Sequence, residues 1–367
     1  MYYPISIGLD VHLNSISATS LDAETGEIRQ KRFAGADTGG LIEWILSFGQ
    51  RAQAVYESGF CGFALKRILD SAGIPCKIAA ISKLARPSGD KVKTDKRDAT
   101  FLARQLAVGN IVSVHVPDIA REGMRDLSRA LGVVRENLVA AKLRVAQTHH
   151  RYGLRYTGQG SKKAWTIGWL SWATSLKMPS VGAQQAYDFH MAEALRLIDE
   201  KKRLEVMIKK WCQDDSIKEA VTALTAVKGI SHTAAFCLVT EIGEFSRFSR
   251  GSGFSSYLGL VPTENSSGDT VRRGGITRTG NEHVRKTLIE SAWCFTRVKT
   301  PYKKPPDGVN SKVSGLAHKA NSRLFEKRRR MSNSKKSCVV NAAIAREMAC
   351  WIWAIAVTVE SNTSMSD

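Results

Sequence analysis

The sequence predicts a layered α/β domain at the N-terminus followed by a long, mostly α-helical remainder. Three observations carry that reading. Apolar residues alternate with period two through the first 34 residues, short apolar runs then alternate with helical patterns, and beyond about residue 118 only helical spacing remains. Ile5, Ile7 and Leu9 mark the first strand. Residues 15–21 form a second, with Ile16 and Ala18 on one side, and the turn Glu24-Thr25-Gly26 leads into a third over 28–33. Leu41, Trp44, Ile45 and Phe48 share one face of a helix. A strand at 52–56, a helix at 63–72, a strand at 77–81 and a helix at 95–107 complete the series.

The order β-β-β-α-β-α-β-α is that of an RNase H-like α/β domain, here over residues 1–115. Residues 116–218 read as a helical coiled-coil region. Leu127, Leu131, Val134, Leu138, Ala141 and Val145 step by fours and threes, a heptad seam. A second seam runs through Leu197, Lys201, Leu204, Ile208 and Trp211, with Lys201 the misfit. Such helices pair either within the chain or with another subunit, the second making this a dimerisation region. The C-terminal region, 219–367, is mostly helical. Val227-Lys228-Gly229-Ile230-Ser231 has the turn of a helix-hairpin-helix, which offers amides to a phosphate, although any glycine corner between helices looks similar. Residues 263–285 read as a Gly-, Thr- and Arg-rich loop, residues 301–336 as a basic, loop-like stretch, and residues 339–355 as a closing helix.

A formal charge of +20 over 367 residues favours a polyanionic partner, because neutralised phosphates release condensed counterions. A basic surface kept for solubility is the plain alternative. The distribution argues for the partner: residues 267–336 hold 18 Lys and Arg against 5 Asp and Glu. The basic residues expected to touch nucleic acid are Arg272, Arg273, Arg278, Arg285 and the run Lys327-Arg328-Arg329-Arg330. Seven dispersed cysteines with no zinc spacing read as reduced thiols. The opening MYYPISIGLD has no basic region, apolar run or cleavage site of a secretory leader. The apolar stretch 348–359 is too short to span a bilayer and reads as a buried helix. The expectation is a soluble cytoplasmic protein without membrane association.

Four carboxylates stand where an RNase H-like sheet gathers ligands. Asp10 closes the first strand and Glu57 the fourth, and strand ends project side chains into a crevice at the sheet edge. Asp95 and Asp98 lie three apart at a helix start, which puts both on one face about 5–6 Å apart. Converging carboxylates repel, and two Mg²⁺ ions remove that cost while stabilising the attacking and leaving oxygens of a phosphodiester. Individually, Asp95 reads equally as a helix N-cap, and Asp10 and Glu57 as surface charges. Ser266-Ser267-Gly268, taken alone, is a plain turn.

These pieces combine into a resemblance. Gly8-Leu9-Asp10-Val11-His12, Tyr56-Glu57-Ser58-Gly59, Gly89-Asp90-Lys91-Val92-Lys93-Thr94-Asp95-Lys96-Arg97-Asp98-Ala99, Tyr257-Leu258-Gly259-Leu260-Val261-Pro262, Ser266-Ser267-Gly268, Gly274-Gly275-Ile276-Thr277-Arg278-Thr279-Gly280-Asn281 and Ala345-Arg346-Glu347 follow one another over nearly the whole chain. In this the chain resembles bacterial insertion-sequence transposases that pair an N-terminal DEDD, RuvC-like domain with a C-terminal serine-bearing transposase domain, the bridge-RNA-guided recombinases. The resemblance implies that Asp10, Glu57, Asp95 and Asp98 bind Mg²⁺ (or Mn²⁺) and that Ser267 becomes joined to DNA as a phosphoserine. It also implies donor and target DNA, a non-coding guide (bridge) RNA, a dimer assembling to a tetramer, and action at the bacterial nucleoid. Arg272, Arg273 and Arg278 then become phosphate clamps, with structural or RNA contacts as alternatives. The chain departs from many relatives in having Lys228-Gly229-Ile230-Ser231 where they have Pro-Gly-Ile-Gly. Two rival readings share these features: a junction nuclease using the same carboxylates with water as nucleophile, and a non-catalytic nucleic-acid binder.

Overall fold

The computed structural model describes residues 3–35, 37–49, 51–84, 94–158, 163–267 and 270–363. Of the motif pieces above, residues 89–93 and Gly268 lie outside them. The chain divides into two compact units, Met1–Pro117 and Asp118–Asp367.

The first unit is a mixed five-stranded sheet. Strands β1 (Ile5–Val11), β2 (Ser15–Asp22) and β3 (Ile28–Ala34) form an antiparallel meander, while β4 (Ala52–Glu57) and β5 (Cys76–Ala79) join parallel on the other side of β1, in the order β3-β2-β1-β4-β5. Alternation sorts the side chains. Ile7, Leu9, Ile16, Ala18, Ala54 and Tyr56 pack with Leu41 and Ile45 of α1 (Thr38–Leu46) and Leu65 and Leu69 of α2 (Ala64–Ser71). On the opposite face Val55 and Ala79 meet Leu102 and Leu106 of α3 (Asp95–Ala107). Burying each such Leu or Ile contributes about 1.5–3 kcal/mol. Helix α3 starts where the sequence places it, but its N-cap is Thr94, whose hydroxyl accepts from the Arg97 amide at 3.4 Å. Asp95 is therefore released from capping.

The second unit is helical around one small hairpin. The two long helices α4 (Ile119–Arg151) and α6 (Val181–Trp211) pack on one another, joined through α5 (Ile167–Ser175). Most of their seams is consumed inside the chain, with Leu131 2 % exposed, Val145 0 % and Ile208 0 %, while Trp211 at the end of the second seam stays exposed. Of the two pairings the heptads allow, these side chains make the internal one. Lys201, the misfit, pairs with Glu205 at 3.2 Å. Beyond them lie α7 (Lys218–Thr225), α8 (His232–Ile242), α9 (Gly251–Tyr257), α10 (Glu282–Ala292), α11 (Ser311–Ser332) and α12 (Ser337–Thr363).

Two expectations are corrected here. Residues 301–336, read as a loop, contain the 22-residue α11. Asn310 caps it, and Val313, Ala317, Ala320 and Leu324 bury one stripe beneath an otherwise basic surface. The closing helix is also longer than expected. By length and composition α12 is apolar enough to cross a membrane, and Val340, Ile344, Met348, Ile352, Ile355 and Val359 are buried in the unit's core. All seven cysteines are free thiols.

The corner between α7 and α8 is tightly held. Gly229 has φ +90°, and a Cβ there would collide with the Ser291 carbonyl. The Lys228 amide donates to buried Asn321 Oδ1 at 2.7 Å, and Lys303 Nζ reaches the Thr225 and Val227 carbonyls. The glycine thus permits close packing on α10, and the Lys228 amide is used within the fold rather than offered to a phosphate.

Candidate functional site

Asp10 shares the α3 face of the sheet with Gly8. That face is reachable only because residue 8 has no side chain: a Cβ would overlap the Ala99 carbonyl and the Ala103 amide of α3. The close approach sets the first turn of α3 over the end of β1. Asp10, His12 and Asp95 consequently place their ligand atoms within 4.8 Å of one another. His12 Nε2 lies 3.1 Å from Asp10 Oδ2 and 3.6 Å from Asp95 Oδ1. Burial, the largest effect, raises the Asp10 carboxyl above its ordinary range. His12 opposes that shift, while the charges of Asp98 and Asp95 add to it.

Asp98 lies one turn along the same helix face from Asp95. Glu57 ends β4, directly after Tyr56, which is in register with Leu9. Alternation puts Glu57 on the side of Val55, the α3 face. The structure therefore gathers Asp10 and Asp95 in one cluster, sets Asp98 close enough to act on Asp10, and brings Glu57 to the neighbouring strand end. His12 is the addition. Its signal was present in the sequence as an imidazole two residues after Asp10, and residues i and i+2 of an extended chain face the same way.

Ser267 stands in the second unit, where the expected loop is a β-hairpin. Strands β6 (Pro262–Glu264) and β7 (Arg273–Ile276) pair antiparallel, and Ser267 and Thr270 exchange backbone hydrogen bonds at 3.2 and 3.1 Å near the tip. Pairing supplies the order that composition did not suggest. Ser266 donates to Glu264 Oε1 at 3.1 Å and accepts from the Arg272 amide at 3.2 Å, and Arg273 pairs with Glu264 at 3.3 Å. Ser266 braces the hairpin. Ser267 is exposed, and its hydroxyl has no hydrogen-bond partner among the described residues.

The hairpin is anchored from below. Arg285 is 8 % exposed and donates to the carbonyls of Leu258 and Thr279 at 3.1 and 2.8 Å. Asn281, which caps α10, donates to Glu241 at 2.8 Å. Glu241 is completely buried and takes a forked pair from Arg129 at 2.7 and 3.0 Å, with Arg125 at 3.5 Å. Burial works to raise the Glu241 carboxyl, but the bonds from Arg129 and Asn281 and the charges of both arginines outweigh it and hold it low. Arg285 is thus a correction to the nucleic-acid surface, because its guanidinium is spent on backbone carbonyls. Lys327 is paired with Glu347 and Arg328 bonds Ser332, while Arg272, Arg273, Arg278, Arg329 and Arg330 are exposed.

Comparison with known proteins places this arrangement. Residues 221–305, which span the α7–α8 corner, the serine hairpin and α10, match the model described as "Transposase IS116/IS110/IS902 family". Over 99 % of its length the chain is 35 % identical to the putative transposase y4qE of Sinorhizobium fredii, covering 91 % of that protein. It is 25 % identical, over 90 % of the chain and 98 % of the relative, to the transposase for insertion sequence element IS1533 of Leptospira borgpetersenii. With similarity of this order along almost the entire sequence, the chain belongs to the IS116/IS110/IS902 transposase family and is an enzyme of DNA transposition.

Proposed function

We propose that this transposase cuts and rejoins DNA by joining Ser267 covalently to a strand, assisted by Mg²⁺ held at Asp10, Glu57, Asp95 and Asp98 of a RuvC-like first unit, and that a non-coding guide RNA selects the DNA. The sheet order β3-β2-β1-β4-β5, with its antiparallel meander and two parallel additions, supports the RNase H-like reading. The observation that carries the proposal is the cluster of Asp10, His12 and Asp95, in which burial and two neighbouring acids raise the cost of the Asp10 charge. A hard divalent cation fits such a donor set, and the imidazole widens the fit to Mn²⁺. When bound, the ion offsets the carboxylate charges and polarises phosphate oxygens.

The chemistry at the hairpin balances without an external energy source. Ser267 Oγ loses its proton and forms a bond to phosphorus while the bond from phosphorus to a sugar oxygen breaks, and that oxygen takes up a proton. The phosphoserine conserves the phosphodiester for attack by a hydroxyl of the next strand. A serine hydroxyl is a poor nucleophile unaided, so on this reading a base or metal-bound group must take its proton. On this reading Arg272 and Arg278, both exposed, hold the transferred phosphate, and Arg273 joins them on leaving Glu264. The guide RNA and a dimer assembling to a tetramer rest on the family resemblance, and the excess charge of residues 267–336 suits either nucleic acid. On this reading the enzyme works at the bacterial nucleoid.

The Ser267 hydroxyl, without a hydrogen-bond partner among the described residues, also suits a second reading, a junction nuclease that uses water. A labelled DNA carrying a break that prevents religation separates the two. We expect a protein–DNA adduct that survives denaturation with the parent and with Ser266→Ala, the latter at reduced yield because the hairpin loses a brace. Ser267→Ala should give none. Cutting without any adduct would establish the water-using enzyme.

A further inference from the structure

A groove of about 500 Å³ opens beside the carboxylate cluster. Strand register explains its lining. Asp10 lies opposite Ser17 on β2, and Ser17 lies opposite Arg32 on the edge strand β3. All three share the α3 face, so a carboxylate, a hydroxyl and a guanidinium form one row across the sheet. At about 4.8 Å per strand the row spans about 10 Å. Behind it, Thr19 lies opposite Gln30, and both bond the Thr100 hydroxyl of α3, at 3.2 and 3.1 Å. The start of α3 supplies the other wall through Thr94, Asp95 and Lys96.

The lining selects its occupant. Apart from Ala18, its side chains are hydroxyls, an amide, one carboxylate and the cations, with no aromatic ring to stack on a base among the described residues. Neither Arg32 nor Lys96 has an acidic partner among the described residues. The Arg32 fork donates once, to Ser15 Oγ at 3.1 Å, leaving most of its donors for another acceptor. Uncompensated cations above a floor of neutral donors suit the sugar–phosphate backbone of one strand. We infer that this groove seats the DNA strand being cut, with Arg32 and Lys96 gripping the phosphates beside the scissile one. They act as positioning residues that set which phosphodiester reaches Asp10. The inference rests on the reading that the carboxylate cluster acts on DNA.

Substrates that each carry one uncharged methylphosphonate, stepped through positions flanking the cut, provide the test. With the parent, one neighbouring position should slow cutting about 10-fold, the effect of losing one charge-assisted hydrogen bond. Arg32→Ala should slow cutting of the unmodified strand by the same factor and make that methylphosphonate cost nothing further, with Arg32→Lys recovering part of the rate. Lys96→Ala should do the same at a different position. If Arg32→Ala slows cutting but leaves every methylphosphonate penalty unchanged, Arg32 serves only the fold and the inference is overturned. Asp10→Asn separates the two levels. Normal cutting by that variant removes the carboxylate reading and this inference together, whereas its inactivity alongside an unaffected Arg32→Ala removes the groove alone.

Discussion

Gly8 governs the distance between β1 and α3, and with it the distance between Asp10 and the two acids of α3. A methyl group there would overlap the Ala99 carbonyl and the Ala103 amide and crowd Leu102 Cβ, none of which can swing aside, so the helix itself must move. Gly8→Ala is expected to cost about 1–3 kcal/mol in urea unfolding and to lower DNA cutting by about 100-fold, since displacements near 1 Å are that costly to catalysis. Asp10 presents the opposite balance of stability and function. Its charge is held against burial and against Asp98 and Asp95. Asp10→Asn should raise the melting temperature of the metal-free protein while abolishing recombination, and added Mg²⁺ should raise the melting temperature of the parent more than that of the variant. Paired thermal melts and a recombination assay check both halves.

Among the elements, the cluster under the α4–α6 pair carries a pH response. His149 of α4 lies against Trp169, Trp172 and Tyr187. Tyr187 donates its hydroxyl proton to the Ala173 carbonyl at 2.9 Å, so it accepts from His149 Nε2, also at 2.9 Å. Burial lowers the His149 pKa below its ordinary 6.5, and the charge of His150 adds to this. As pH falls through about 6.5 the unfolded chain binds a proton that the folded chain refuses. Stability should fall there and level off once the folded imidazole protonates. Chemical unfolding at pH 7.5 and 5.5 should show the loss in the parent and a smaller one in His149→Phe. Elements with a clear apolar period were readable in advance, among them the β1 alternation of Ile7 and Leu9 and the heptads of α4, and the helix over 95–107 was placed correctly. Helix α11 was not, because its buried stripe uses Ala317 and Ala320, weak signals among so many cations. The serine hairpin was hidden for a related reason. Its strands are held by backbone pairing and by Glu264 with Arg273, contacts between residues nine apart that local composition does not reveal. At the site the acids could be read singly, whereas the part played by Gly8 depends on which helix crosses it.

At the scale of the molecule, a charge of +20 makes ionic strength the main control on affinity for nucleic acid. The logarithm of the DNA binding constant should fall linearly with the logarithm of salt, by about 0.9 per phosphate neutralised. Replacing exposed Arg329 and Arg330 with alanine should make that slope shallower by up to about one for each arginine that neutralises a phosphate, whereas Lys327→Ala, whose cation is already paired with Glu347, should change it less. Titrations between 50 and 300 mM salt would show the difference. The position of α12 bears on how such an enzyme is born. This helix lies in the middle of the second unit's core, yet ribosomes make it after every other described element. At roughly 5–20 residues per second, the nascent second unit waits on the order of 10–50 s for its central helix, with the partners of Ile344 and Ile352 uncovered. The first unit has all its core residues by Pro117. Premature termination before Ser337 would therefore release a formed carboxylate site attached to an unfinished, protease-sensitive remainder. Cellular quality control would then remove partial transposases before they met a chromosome.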